Sequence, residues 1–182
     1  SAPLVVGAPS QSYDVTFGDN TYLAFKQRYA SRRQVLYAGA NDGMLHAVRD
    51  SNGTEAWGFI PPNQLARLKL MVESTSHQYY VDSSPKTYLY DVNGNGFMDL
   101  GEGDKVILVS GERKGSEGYF ALDVTNPEAP VFLWRINRTS DLAYAVPNYV
   151  IPQLGESWSE PPSRTPGRTG RRAASSRRWP AP

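Results

Sequence analysis

One pattern is written twice in this chain, and it restricts the fold more than any other feature. Residues 34–61 read QVLYAGANDGMLHAVRDSNGTEAWGFIP, and residues 105–137 read KVILVSGERKGSEGYFALDVTNPEAPVFLWRIN. Each unit opens on a β-branched or aliphatic strand (Val35-Leu36-Tyr37-Ala38; Val106-Ile107-Leu108-Val109) and passes a Gly-containing turn. A second strand follows (residues 44–48; 119–124), then a turn rich in Asn, Gly, Pro and Asp, then a strand carrying Trp57 or Trp134. Short apolar runs separated by such turns are strand and hairpin signals. The opening valines lie 71 residues apart and the tryptophans 77. Repeated antiparallel sheets with a Trp near the last strand point to propeller blades. The expected fold is therefore all-β, a partial β-propeller.

Between the two units, residues 61–73 (PPNQLARLKLMVE) place Leu65, Leu68, Met71 and Val72 at helical spacing, with prolines suited to a first turn. One short inserted helix is expected there, its apolar stripe packed into the core.

A length of 182 residues suits one domain with a real core, and 40% hydrophobic with 12% aromatic residues is too apolar for wholesale disorder. No run of 18 apolar residues offers a membrane span. Zero cysteines exclude a disulfide scaffold, a thiolate metal centre and thiol catalysis. The chain starts at Ser1 with no initiator Met and no apolar targeting segment, as an internal or processed piece would. A formal net charge of +1 hides an asymmetry: from residue 161 onward there are six Arg and no acid. The rest carries thirteen bases against all eighteen acids, a net of −5, which argues against a nucleic-acid-binding domain. Residues 162–182 lack strand alternation and are expected to be a disordered Arg/Pro-rich tail. They read either as a basic arm or, as the abrupt end of β-like sequence favours, as out-of-frame or non-native residues. The propeller domain is expected over residues 1–161.

The one constellation that carries chemistry is residues 91–102, D-V-N-G-N-G-F-M-D-L-G-E. Against a twelve-residue EF-hand-like calcium loop, Asp91, Asn93 and Asn95 fall at positions 1, 3 and 5, Gly96 at 6, Phe97 at 7, Asp99 at 9 and Glu102 at 12. Ca²⁺ takes six to eight hard oxygen ligands from a loop able to wrap it. Alternate side chains at 1, 3 and 5 supply oxygens, Gly96 allows the sharp turn, and Phe97 offers its carbonyl. Asp99 closes the far side, and Glu102 adds a carboxylate. Thr87-Tyr88-Leu89-Tyr90 before the loop and Val106-Ile107-Leu108-Val109 after it are strands, so the loop is expected on a β-hairpin, where position 12 is less surely in reach. The competing reading is an Asn/Gly turn without metal; Asp99 and Glu102 at the right offsets favour Ca²⁺. Three acids with two neutral Asn ligands suit modest affinity.

Elsewhere, His46 on an apolar strand reads as a packed or hydrogen-bonded histidine. His77, with no second His or Cys nearby, makes a poor transition-metal site. No Ser–His–Asp order, P-loop or Rossmann fingerprint appears, so no enzyme activity is expected.

At Tyr37-Ala38-Gly39-Ala40-Asn41-Asp42-Gly43-Met44-Leu45-His46-Ala47 the sequence resembles the PilC/PilY-type β-propeller family of type IV pilus biogenesis and adhesion proteins. The likeness continues through Glu55-Ala56-Trp57-Gly58-Phe59-Ile60-Pro61, His77-Gln78-Tyr79-Tyr80-Val81-Asp82 and the calcium loop. It also takes in Gly118-Tyr119-Phe120-Ala121-Leu122-Asp123-Val124-Thr125, Leu133-Trp134 and Leu154-Gly155-Glu156-Ser157-Trp158-Ser159-Glu160-Pro161. The resemblance implies a C-terminal propeller of an exported protein at the pilus tip, outer membrane or cell surface. Its expected partners are pilus tip proteins or minor pilins and a host or abiotic surface. It implies roles in pilus assembly, attachment and calcium-regulated extension and retraction, with the metal site on Asp91, Asn93, Asn95, Asp99 and the carbonyl of Phe97. Asn95 stands where the family commonly has Asp, which removes one charge. The rival from another class is a quinoprotein (pyrroloquinoline quinone) dehydrogenase propeller, which wants an acid and cation cluster around the central channel. A purely structural, metal-free blade is the third reading.

Overall fold

The computed structural model describes residues 2–18, 20–93, 95, 99–138 and 147–159. The expected repeat is present as two sheets. The first is built from β1 (Leu4–Val6), β2 (Val35–Gly39), β3 (Leu45–Arg49) and β4 (Glu55–Phe59), antiparallel throughout and in that spatial order. The second is built from β5 (Lys86–Tyr90), β6 (Lys105–Gly111), β7 (Gly118–Asp123), β8 (Val131–Asn137) and β9 (Asn148–Val150). β5 to β8 form an antiparallel meander, and β9 adds to β8 in parallel. β2–β3–β4 and β6–β7–β8 are the two repeated units of the sequence.

Alternation decides which face of each strand is buried. Val35, Tyr37, Leu45 and Ala47 have no exposed surface, while their neighbours Leu36 and His46 are only half-buried. The turn between β2 and β3 is set by Asp42, whose Oδ1 accepts from the backbone N–H of Met44 at 3.0 Å, and by Gly43 at φ 94°.

Both sheets contribute to one core. Val35, Tyr37, Leu45 and Ala47 of the first join Val106, Leu108, Phe120, Leu122 and Val124 of the second, with Val81 between them. Phe59 on β4 meets Phe120 and Phe132 at centroid distances of 5.2 and 5.3 Å. Polar groups fasten the same junction through the turn between β7 and β8. The Trp57 indole N–H donates to the Pro127 carbonyl at 2.9 Å, and Arg32 donates to the Val124 carbonyl at 2.6 Å. Arg49 places two nitrogens on the Glu128 carboxylate, at 2.5 and 3.1 Å.

Helices are few. α1 (Tyr13–Phe17) and α2 (Asn20–Arg28), which the strand-and-turn reading did not anticipate, lie between β1 and β2. Rings of the two helices and of Tyr29 just after them meet in series, Tyr13 edge-on to Tyr22, then Tyr22 with Phe25 and Phe25 with Tyr29 at tilted angles, and Tyr22 and Phe25 are buried. The helical segment expected over 61–73 is present as two single turns, α3 (Pro62–Leu65) and α4 (Leu70–Glu73). Its apolar stripe does not pack into the core as expected: Leu65, Met71 and Val72 are exposed, and the buried residues of the segment are Pro61, Pro62 and Gln64. Between the two turns the backbone stays right-handed helical at Ala66 and Lys69, with the N–H groups of Arg67, Leu70 and Met71 donating three residues back. The side chains of Gln64 and Arg67 both donate to the Gly115 carbonyl. No helix among the described residues is long and apolar enough to cross a membrane. Residues 160–182, which include the basic tail, lie outside the described residues.

Candidate metal site

The candidate loop joins β5 to β6, which pair from Tyr90↔Lys105 down to Lys86↔Val109, so it sits at the tip of a β-hairpin as expected. Asp91, Asn93, Asn95, Asp99 and Glu102 are described; Phe97 and Gly96 lie outside the described residues.

The loop is closed by its own side chains. The amides of Asn93 and Asn95 both donate to Glu102 Oε2, at 2.8 and 2.9 Å. The Asn95 backbone N–H faces Asn93 Oδ1 at 3.0 Å and Asp91 Oδ1 at 3.3 Å. Position 12 is therefore in reach of positions 3 and 5 although strands flank the loop. A single 3₁₀ turn, Leu100–Glu102, carries Glu102 there. Asp99 caps that turn, its Oδ1 accepting from the Gly101 N–H at 2.8 Å, and Gly103 at φ 96° ends it.

Two residues that the motif did not single out complete the arrangement. Asp104 is 2% exposed, and its two carboxylate oxygens accept from the N–H groups of Val92 at 2.9 Å and Asp99 at 2.8 Å, strapping the two limbs of the loop together. Its only sequence signal is a carboxylate at the mouth of β6. Arg28, the last residue of α2, donates from Nη1 to Asp99 Oδ1 at 3.0 Å. No local pattern could link residues 71 apart.

Donor chemistry fits calcium: the described candidates offer carboxylate and amide oxygens only, with no sulfur or imidazole among them. The stand-in charge fits as well, because Asp99 already carries a cation in the Arg28 guanidinium. Among the described residues no group of three or more His, Asp or Glu is arranged as a ready-made metal shell. The acids are apportioned instead, Glu102 to the two Asn, Asp99 to Arg28 and Gly101, and Asp104 to the backbone.

The two histidines take hydrogen-bonding roles. His46 lies between Glu55 Oε1, 2.6 Å from Nδ1, and Asp42 Oδ2, 2.8 Å from Nε2. Partial burial works against its charge, but the bonds to Glu55 and Asp42 prevail and raise its pKa. His77 stands edge-on to Tyr79 at 4.6 Å with the Asn41 amide 3.4 Å from Nε2.

Comparison with known proteins gives one consistent answer. A family model described as the PilY1 beta-propeller domain matches residues 1–173. A type IV pilus biogenesis factor PilY1 homolog of Xylella fastidiosa is 37% identical over 138 residues, covering 74% of this chain and 11% of the relative. The type IV pilus biogenesis factor PilY1 of Pseudomonas aeruginosa PAO1 is 34% identical over 139 residues, covering 73% of this chain and 11% of its own length. The crystal structure of the Pseudomonas aeruginosa PilY1 C-terminal domain superposes with a TM-score of 0.51 at 34% identity, over 74% of this chain and 26% of that one. The chain thus spans about a tenth of the length of these curated relatives.

Proposed function

The chain belongs to the PilY1 β-propeller family, and from that premise we propose that it forms a calcium-binding part of a type IV pilus biogenesis factor. In this role it supplies blades to the propeller of an exported protein at the pilus tip, outer membrane or cell surface. It supports pilus assembly and attachment to a host or abiotic surface, in contact with pilus tip proteins or minor pilins, and it performs no catalytic step. Loop 91–102 is the regulatory element, tuning extension against retraction. Asp91, Asn93, Asn95, the Phe97 carbonyl, Asp99 and Glu102 would hold the ion. Bound calcium supplies two positive charges to a loop bearing three carboxylates and orders the hairpin.

The observation that supports the calcium part is the convergence of Asn93 and Asn95 on one oxygen of Glu102, which brings motif positions 3, 5 and 12 together at a hairpin tip. A plain Asn-Gly turn has no need of that carboxylate. The pilus part is supported by the names of the relatives, each a type IV pilus biogenesis factor. Family membership also favours it over a quinoprotein dehydrogenase; a soak with pyrroloquinoline quinone is expected to leave the absorbance of the cofactor unchanged.

Thermal melts in Ca²⁺, Mg²⁺ and chelator test the metal. A hundredfold excess of Ca²⁺ over its dissociation constant adds about 2.7 kcal/mol. Magnesium does little, since its small octahedral shell suits this loop poorly. Asp91→Ala removes the gain and leaves the protein folded without metal, whereas Asn95→Asp tightens binding. Identical melts of the unsubstituted chain in Ca²⁺ and chelator reduce the loop to a turn. Pilus number and surface attachment of cells whose full-length protein carries Asp91→Ala test the pilus role separately.

A further inference from the structure

The Arg28–Asp99 contact joins the candidate metal loop to a helix, and the surroundings of both residues define what it does. α2 is anchored by Tyr22 and Phe25, and Phe25 lines a cleft with Leu4 and Val6 of β1 and with Leu89 and Val106 of the hairpin strands. The helix therefore sits beside the seam between the two sheets, with its C-terminus over the loop. There the Arg28 guanidinium lies 5.6 Å from the centroid of the Tyr29 ring. Its Nη2 approaches to 3.9 Å of the point that a Cβ on Gly101 would occupy. The group thus rests on the 99–101 limb and bonds the same Asp99 Oδ1 that caps the 3₁₀ turn.

A guanidinium on a carboxylate that is also a metal ligand opposes the metal by like-charge repulsion and by occupying the oxygen. The opposition is mild. The Arg28 side chain is 60% exposed and that of Asp99 is 44% exposed, so the pair is solvated, screened by salt and readily exchanged. Once displaced, Arg28 keeps a favourable place, because a cation at a helix C-terminus complements the helix dipole.

Resting on the calcium reading of the loop, we propose that Arg28 is its built-in competing cation. Without calcium it holds Asp99 and ties the end of α2 to the loop; calcium displaces it and frees the last turn of α2. Occupancy of the hairpin tip is thereby transmitted to the seam between the sheets.

Calorimetric Ca²⁺ titration of the unsubstituted chain, Arg28→Gln and Arg28→Lys, with amide hydrogen exchange over α2, tests this. Arg28→Gln is expected to bind Ca²⁺ roughly two- to fivefold more tightly, as loss of an exposed opposing pair allows. That gap shrinks as salt rises, and Arg28→Lys stays close to the unsubstituted chain. Calcium is expected to speed exchange in the last turn of α2, where Arg28→Gln is already fast without metal. Equal affinities of the unsubstituted chain and Arg28→Gln overturn the competition, whatever α2 does. Tighter binding by Arg28→Gln with α2 exchange indifferent to calcium overturns the transmission. Absence of Ca²⁺ binding in all three chains overturns the calcium reading itself and the competition with it, a result distinct from binding that ignores residue 28.

Discussion

Ala47 stands directly opposite Trp57 across β3 and β4, and a bulge follows it at once, between Ala47 and Val48. The second sheet repeats the device: Ala121 stands opposite Trp134 across β7 and β8, with a bulge between Ala121 and Leu122. Both alanines are fully buried. A small residue opposite a large ring leaves room for the indole, and the bulge adds twist that lets one sheet lie across the next. The repetition of pair and bulge together identifies the two sheets as copies of one unit more firmly than strand order alone.

Ala47→Val and Ala121→Val each insert two methyl groups where there is no exposed surface to absorb them. Each is expected to cost about 1–3 kcal/mol, read as a lower urea midpoint, while Ala129→Val at an exposed turn position changes little. Tolerance of valine at both buried sites would mean that the alanines are not making space for the tryptophans.

Trp57 also spans the junction, since its N–H donates to the Pro127 carbonyl of the other sheet. Trp57→Phe keeps an aromatic ring in place but loses that bond and some packing volume. A loss of about 1–3 kcal/mol is expected, together with faster amide exchange around residues 126–129. An unchanged urea midpoint would show that the junction does not depend on the indole or its hydrogen bond.

What the sequence made legible was whatever is written locally. Short apolar runs marked β2, β3, β6 and β7, the Gly-containing turns between them marked the hairpins, and Asp91, Asn93, Asn95 and Glu102 announced a loop that does gather at a hairpin tip. α1 and α2 were hidden because they are short and mix Tyr, Val, Thr and Phe, residues that favour strands; edge-on and tilted ring contacts among Tyr13, Tyr22, Phe25 and Tyr29 sustain them. The stripe at Leu65, Leu68, Met71 and Val72 suits one continuous helix, but between α3 and α4 most backbone bonds close over three residues instead of four, which tightens the winding and leaves two single α-turns. Arg28 and Asp104 escaped for the same reason: their partners are set by tertiary placement, not by spacing.

Glu112 carries a carboxyl group with 1% exposure, its Oε2 accepting from the Asn63 amide at 2.8 Å and its Oε1 without a hydrogen-bond partner among the described residues. Burial raises its pKa, against the pull of the amides of Asn63 and Gln64, the Ser116 hydroxyl and the charge of Arg67. The fold thus favours the protonated form. Its stability is greatest below the ordinary carboxylate pKa and declines as pH rises from there through the raised value, by about 1.4 kcal/mol for each unit of difference. Glu112→Gln, neutral at every pH, is expected to flatten this decline and to raise the melting temperature at neutral pH. Parallel pH profiles for the two proteins would show that the buried carboxyl does not govern the slope.

Asp104 offers the sharpest separation of loop structure from loop chemistry, because it shapes the loop without belonging to the calcium motif. Its carboxylate satisfies two backbone N–H groups at once, Val92 at the entry and Asp99 at the 3₁₀ turn, and it does so almost out of contact with water. Asp104→Ala leaves both donors without a partner and is expected to cost about 2–4 kcal/mol. Asp104→Asn retains one acceptor oxygen and is expected to fall between. In both variants, exchange at the Val92 and Asp99 amides speeds up selectively while β7 and β8 stay protected. On the proposed calcium role of the loop, affinity is expected to drop because the loop is no longer held ready, but not to vanish, in contrast to Asp91→Ala, which removes an oxygen the ion itself would need. Calcium binding by Asp104→Ala equal to that of the unsubstituted chain, with exchange at Val92 and Asp99 unchanged, would remove Asp104 from any part in holding the loop.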